Sequence, residues 1–244
     1  VTDYQSPEHR PAFEEYCEAI FELDEDDISV IQARIADRLG VSRPAVSEAI
    51  RRMRDAGLVS DESPTIQLTP AGHALAERVV RRHRLAERFL TDVLGLSWAQ
   101  AHHEAGRWEH ILSENVEAAL SRLLGEPTTC PHGNPIPGSA YQPPDAIPLA
   151  DLAVGAAFVV RRIPEALEFI PGMLDHLEQV GMQPDRWGTV VSVSPDGTVT
   201  VAMGDKPTTL GPLASRRILV SGPGRPQQPG GRSHPGQPED EPGP

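Results

Sequence analysis

Hydrophobic residues recur at helical spacing through roughly the first 140 positions, then give way to short strand-like runs. Over residues 13–23, Phe13, Tyr16, Cys17, Ile20 and Leu23 fall on one helical face, and the acidic Asp24-Glu25-Asp26-Asp27 reads as a loop after it. Ile31, Ile35 and Leu39 line a second helix, Gly40-Val41 makes a turn, and Ser42 caps a third helix. Val46, Ile50 and Met53 share one face of that helix, which ends at Gly57. Leu58-Val59 and Ile66-Gln67-Leu68, joined by a polar turn through Pro64, predict a small hairpin. Thr69-Pro70 then opens a further helix, since proline suits the first helical position. Two helices across a short glycine turn, followed by a hairpin, form the pattern of a winged helix-turn-helix. The alternative is a plain three-helix bundle, and the hairpin argues against it.

Residues 127–148 carry too much proline for a helix. Beyond them, residues 158–160, 189–193, 198–203 and 218–220 predict strands of a small β-barrel, with Pro195-Asp196-Gly197 as a turn and a short helix over 170–180. The chain therefore divides into a winged helix-turn-helix (1–73), a helical domain (74–140), a proline-rich linker (141–150), a β domain (151–221) and a disordered Pro/Gly-rich tail (222–244). The fold class is mainly α with a small β part.

Composition narrows the function. Over 244 residues, 39% apolar content supports real cores, and no run approaches the roughly 18 apolar residues of a membrane-spanning helix. The first residues lack a signal-peptide pattern, and two cysteines make no disulfide framework, so a cytoplasmic protein without membrane contact is expected. A net charge of −13 argues against a non-specific polycation, but local clustering decides DNA binding. The third helix is locally basic: Arg43, Arg51, Arg52 and Arg54 stand against Glu48 and Asp55. Ser42, Pro44 and Ser47 are small enough to approach base edges, and Arg43, Arg51 and Arg52 suit phosphates. Glu48 reads either as an acceptor for a cytosine amino group or as a solvated helix residue.

The next helices hold a histidine and carboxylate pattern. His83 and Glu87 are four apart, and Ser97 with Gln100 forms a capping box. On the helix this box opens, His102, Gly106, Glu109 and His110 share a face. Such pairs on neighbouring helices are how bundles build divalent-metal sites, and spacing alone leaves this reading level with ordinary surface or core histidines. His103-Glu104 does not extend to a zinc-protease motif because position 107 is arginine, and no phosphate loop, nucleophile elbow or CxxC is present. An enzyme is not expected. Leu85, Phe89, Leu90, Trp98, Trp108 and Ile111 are expected to supply the core and a dimer interface. Cys17 reads as core, and Cys130 and His132 as loop packing.

The run RRHRLAERFLTDVLGLSWAQAHHEA at 81–105, RWEH at 107–110 and PTTCPHGNPIPG at 127–138 resemble the diphtheria toxin repressor family, whose members are metal-activated transcriptional repressors that include iron-dependent and manganese transport regulators. The resemblance covers residues 10–140 closely and 150–220 in pattern. It implies an SH3-like third domain, a homodimer, and double-stranded palindromic operators of metal-homeostasis genes as target. It implies an ancillary metal set of His83, Glu87 and His102, to which the third domain lends a carboxylate or amide; Glu165, Glu168 and Asp175 are the candidates. It implies a primary set of Glu15, Glu109 and His110, with Glu18 added as in manganese regulators. Gly106 stands where the family carries Cys or Glu, so the primary set lacks that donor. Carboxylate and imidazole donors favour Mn²⁺ or Fe²⁺, with Co²⁺, Ni²⁺ or Zn²⁺ able to substitute in vitro. The alternative function is a winged-helix regulator whose metal site is vestigial or structural and which responds to another signal.

Overall fold

A computed structural model describes residues 11–60, 65–204 and 206–222. The polar turn expected at 61–64, the tail from 223 onward and the N-terminal segment before residue 11 lie outside the described residues. Helices α1 (Pro11–Glu25), α2 (Gln32–Leu39) and α3 (Arg43–Asp55) and the hairpin β1 (Val59–Ser60) and β2 (Gln67–Leu68) make the N-terminal unit. Tyr16, Cys17, Ile20 and Leu23 of α1 share one core with Ile35 of α2 and Val46, Ile50 and Met53 of α3. Ile31 departs from expectation: it is the extended residue before α2 and lies 41% exposed, while Val30 takes the buried place. Gly40 adopts φ +64° behind α2, the left-handed conformation that glycine tolerates. The Ser42 hydroxyl accepts the Ala45 N–H at 3.3 Å, so the helix-turn-helix is capped as its sequence predicts.

The 23-residue α4 (Pro70–Asp92) leaves this unit from its Thr69 cap. A Cβ at Gly72 would stand 2.1 Å from the Leu58 carbonyl oxygen, so glycine permits α4 to cross the hairpin closely. α5 (Trp98–Trp108), opened by the expected Ser97–Gln100 capping box, and α6 (Glu114–Leu123) pack on α4 through Ala86, Leu90, Ala101, Ala105 and Leu120. Leu85 and Leu90 are buried as expected, while Ile111 is 74% exposed. Trp98 belongs elsewhere: it packs into the core of the third unit.

That unit contains β3 (Ile147–Pro148), β4 (Ala157–Arg162), α7 (Glu165–Glu168), α8 (Met173–Gln179), β5 (Trp187–Val193), β6 (Val199–Met203), β7 (Lys206–Leu210), α9 (Pro212–Ser215) and β8 (Leu219–Ser221). Its antiparallel order is β3-β8-β4-β5-β6-β7, and among the described residues the ladder does not close from β7 back to β3. The end of the proline-rich linker is thus part of the sheet, because Ile147 pairs with Val220. No helix among the described residues is long and apolar enough to cross a membrane.

A buried ionic web joins the three units. Arg84 of α4 is wholly buried and donates to Glu25 at 2.6 Å and to Glu165 at 3.1 Å. Arg162 of β4 meets Asp26 at 2.6 Å, and Asp26 also accepts the Ala166 N–H at the start of α7. Arg38 of α2 pairs with Glu22 and lies 3.5 Å over the Phe169 ring just beyond α7. The acidic end of α1 is therefore interdomain structure, since a buried guanidinium needs partners.

Candidate metal centre

Helix periodicity puts His83 and Glu87 on one face of α4, and α5 faces it with His102. His83 Nε2 lies 3.2 Å from Glu87 Oε1 and 3.3 Å from His102 Nδ1, and His102 Nδ1 is 3.0 Å from the same Glu87 oxygen. Three donors with mutual separations of 3.0–3.3 Å match the edges of a polyhedron whose metal–ligand bonds are about 2.0–2.2 Å. The expected ancillary residues are thus brought together. Of the third-domain candidates, Glu168 completes the group, with Oε2 at 3.3 Å from His102 Nδ1. Glu165 also stands with His102 and Glu168 as a possible ligand group, its Oε1 paired with Arg84 and its buried Oε2 without a hydrogen-bond partner among the described residues, whereas Asp175 is exposed on α8.

Behind this triad stands a donor pair that the sequence reading assigned to loop packing. Cys130 and His132 are wholly buried, with Sγ 3.8 Å from Nδ1. His132 Nδ1 is 3.0 Å from Glu168 Oε2 and 3.7 Å from Glu87 Oε1. Glu87, Cys130 and His132 offer ligand atoms that lie within 4.8 Å of one another. Cys130 thus stands as a potential sulfur donor beside the expected oxygen and nitrogen donors, a ligand type that suits Fe²⁺, Co²⁺ and Zn²⁺ better than Mn²⁺. The signal for these residues was their type, two apart in a Cys-Pro-His turn; its distance from α4 in sequence hid it.

Toward α1 lies a second group. His83 Nδ1 is 2.5 Å from Glu109 Oε2, and Glu18 joins those two within 4.8 Å. Glu15, Glu18, His83, Gly106 and Glu109 all line one cleft of about 350 Å³. Glu15 is exposed at its rim. His110 turns its Nε2 to Glu109 at 3.1 Å, and its Nδ1 meets Glu14, not Glu15, at 3.0 Å. Glu14 went unread because it neighbours the expected ligand and both are glutamate. A Cβ at Gly106 meets nothing within 4 Å, so the missing family donor leaves open space at the cleft.

Charge dominates both groups. Burial opposes a proton on His102, but hydrogen bonds to Glu168 and Glu87 outweigh it and hold its pKa up at about 10. Hydrogen bonds to Glu109 and Glu14 raise His110 to about 10. Burial would raise Glu109, but hydrogen bonds from His110 and His83 bring it down to about 2. Burial, then the charges of Glu109 and Glu22, push Glu18 well above the usual carboxylate range. Imidazolium charge thus holds together carboxylates that would otherwise repel, which is the work a divalent cation does in a carboxylate–imidazole site.

The reading helix is the opposite kind of surface. Ser42, Arg43, Pro44, Ser47, Glu48, Arg51 and Arg52 are all exposed on α3, whose Val46, Ile50 and Met53 face inward. Glu48 pairs with Arg51, which favours the solvated reading of Glu48. Arg52 lies 5.3 Å over the Phe13 ring of α1.

Residues 10–63 match the iron dependent repressor N-terminal DNA binding domain, and residues 69–138 match the iron dependent repressor metal binding and dimerisation domain. The iron-dependent repressor IdeR of Mycobacterium tuberculosis is 39% identical over 202 residues, which cover 78% of this chain and 87% of that protein. The diphtheria toxin repressor of Corynebacterium diphtheriae is 48% identical over 128 residues, 51% of this chain and 56% of that one. Among solved structures, a manganese-dependent transcriptional repressor in complex with manganese superposes with a TM-score of 0.76 at 32% identity, covering 86% of this chain and 99% of its own. With both domain models matched in order on the units that carry the reading helix and the donor cluster, the chain belongs to the iron-dependent, diphtheria toxin repressor-like family of transcriptional repressors.

Proposed function

We propose that the chain is a metal-activated repressor that binds, as a homodimer, palindromic operators of metal-homeostasis genes, with Mn²⁺ or Fe²⁺ as the activating ion. The observation that carries this reading is the group Glu18–His83–Glu109, which spans α1 of the reading unit, α4 and the end of α5. Glu15, Glu18, Glu109 and His110 with His83 would hold one ion; Glu87, His102, Glu168, Cys130 and His132 would serve the other set, again beside His83. A bound dication supplies the positive charge that lets these carboxylates close on one another. Glu18 and Glu109 draw α1 toward α5, and α1 carries α2 and α3 with it through their common core. That placement sets the spacing of two α3 helices, which must be about 34 Å apart to enter successive major grooves. Metal and DNA then tighten each other's binding. Ile111, Val116 and Leu123, exposed beside the half-buried Trp108, supply the apolar face of the dimer. Such a regulator works in the cytoplasm, as a switch on DNA and not as a catalyst.

A second reading, a winged-helix regulator whose metal site is structural, is favoured by Gly106 and by the exposed position of Glu15. Fluorescence anisotropy on DNA selected from the source genome separates the two. Binding that appears with Mn²⁺ or anaerobic Fe²⁺ and vanishes in chelator is expected; equal binding in chelator would remove metal as the switch.

A further inference from the structure

Cys130, His132, Glu87 and Glu168 are buried at the junction of α4, α7 and the proline-rich turn. Three triads overlap here: His83–Glu87–His102 and Glu87–Cys130–His132 meet at Glu87, and His102–Glu165–Glu168 adjoins the first at His102. Glu168 stands across the same divide, with Oε2 3.3 Å from His102 Nδ1 and 3.0 Å from His132 Nδ1. Its other oxygen accepts the Asn134 amide at 2.7 Å, which fixes the orientation of the carboxylate. Glu87 Oε2 is buried and finds no hydrogen-bond partner among the described residues.

The turn that delivers the sulfur and imidazole is rigidly seated. The Cys130 N–H bonds the Asn134 carbonyl at 2.9 Å, and the His132 carbonyl accepts the Ile163 N–H at 2.8 Å. Gly133 adopts φ +89°, and a Cβ there would stand 2.2 Å from the Arg161 carbonyl oxygen, so only glycine lets the turn press this closely on β4. The edge of Trp98 packs on His132 at 4.6 Å between ring centroids. The site is prebuilt and has more donors than one four-coordinate ion uses; Cys130 and His132 are wholly buried, while His83 and His102 line the cleft toward α1.

We propose that Glu87 and Glu168 bridge two metal positions, one completed by His83 and His102 and the other by Cys130 and His132. Carboxylates that span a pair of divalent ions are the construction helical bundles use for dinuclear centres. The two positions differ in chemistry. The imidazole pair suits a borderline ion such as Fe²⁺ or Mn²⁺, and the position with sulfur suits Zn²⁺, Co²⁺ or Fe²⁺. The inference rests on the metal-responsive reading above and extends it from a binding cluster to a paired centre.

Native mass spectrometry of the full chain carrying Glu18→Gln and Glu109→Gln, which strips the group facing α1, counts Co²⁺ at the buried centre alone. Two Co²⁺ per protomer are expected, with a sulfur-to-cobalt charge-transfer band. Cys130→Ser should delete the band, and Cys130→Ser or His132→Gln should lower the count to one. One Co²⁺ per protomer before those changes overturns the pair. Magnetic susceptibility of the same doubly substituted chain loaded with Co²⁺ should show exchange coupling that His132→Gln abolishes; two uncoupled ions overturn the bridge. If one ion binds and operator DNA still responds to metal, the repressor reading stands and the paired centre falls. If the doubly substituted chain binds no Co²⁺, the paired centre falls; the repressor reading, which rests on Glu18, His83 and Glu109, falls only if operator binding by the unmodified chain ignores metal.

Discussion

The donor cluster and the reading helix are built by opposite means. Around Glu87 the charged groups are buried, His102 partly so, and tied to several partners from α4, α5, α7 and the Cys130–His132 turn. On α3 the predicted DNA-facing residues are exposed, and Val46, Ile50 and Met53 bury the opposite face. Buried polar networks are high-stakes, because losing one partner leaves another uncompensated in low dielectric. Exposed ion pairs such as Arg51–Glu48 contribute little to stability. Buried charges thus tie the units together around the cluster, while α3 keeps its basic residues exposed, as the proposed DNA contact requires.

His110→Ala should break the link between the two regions outright. Metal-stimulated operator binding should disappear while the dimer stays folded by circular dichroism and gel filtration; stimulation that survives would remove His110 from the primary set. Arg84→Met attacks the web behind the cluster. It leaves Glu25 and Glu165 without their guanidinium, so a loss of about 3–5 kcal/mol is expected by chemical denaturation. A loss below about 1 kcal/mol would mean the web is not a structural tie.

Gly106→Cys sharpens the comparison from the cluster side. The added side chain enters open space at the cleft, so metal affinity should rise about tenfold, by analogy with the size of ligand-shell effects. Unchanged affinity in a metal-competition titration would show that position 106 does not address the ion. On the reading side, Arg51→Ala should weaken DNA binding several-fold and lower the salt slope by about one. Its stability cost should stay within about 0.5 kcal/mol. Equal salt slopes would take Arg51 off the phosphates.

The smallest effect concerns pH in the metal-free protein. His102 and His110 are raised from 6.5 to about 10 by carboxylate partners. Their contribution to stability is therefore complete below about pH 6.5 and lost as pH climbs through about 10. Glu109, lowered from 4.5 to about 2, contributes above about pH 4.5 and loses that as pH falls toward 2. Calorimetric midpoints of the metal-free chain should decline between about pH 6.5 and 10, and a flat profile would deny the imidazolium pairs. Loaded protein should lack that decline, since the metal requires neutral imidazole.

Much of this was legible before any coordinates. The apolar faces of α1 and α3, the Ser42 and Thr69 caps, and the Ser97–Gln100 box stand as the sequence predicts. The pairing of His83 with Glu87 follows from spacing on one helix, and the resemblance placed His102 opposite them. Less legible were β7, whose Lys206–Leu210 run lacks apolar alternation, and β3, hidden among prolines. Asp24–Asp27 read as a solvated loop because acidic runs usually are one. Here Glu25 and Asp26 answer arginines far along the chain.

The amino-acid sequence by itself determined the helices, their buried faces and their caps, because those depend on residues within a turn or two of one another. It also put His83 and Glu87 on one helical face, and the resemblance added His102 to them. Only the tertiary structure decided which distant residues meet: Cys130 and His132 at Glu87, Glu168 between two imidazoles, Arg84 between Glu25 and Glu165. Periodicity is a property of local backbone geometry, whereas these contacts depend on the path of the whole chain and on the burial that makes each charge require its partner.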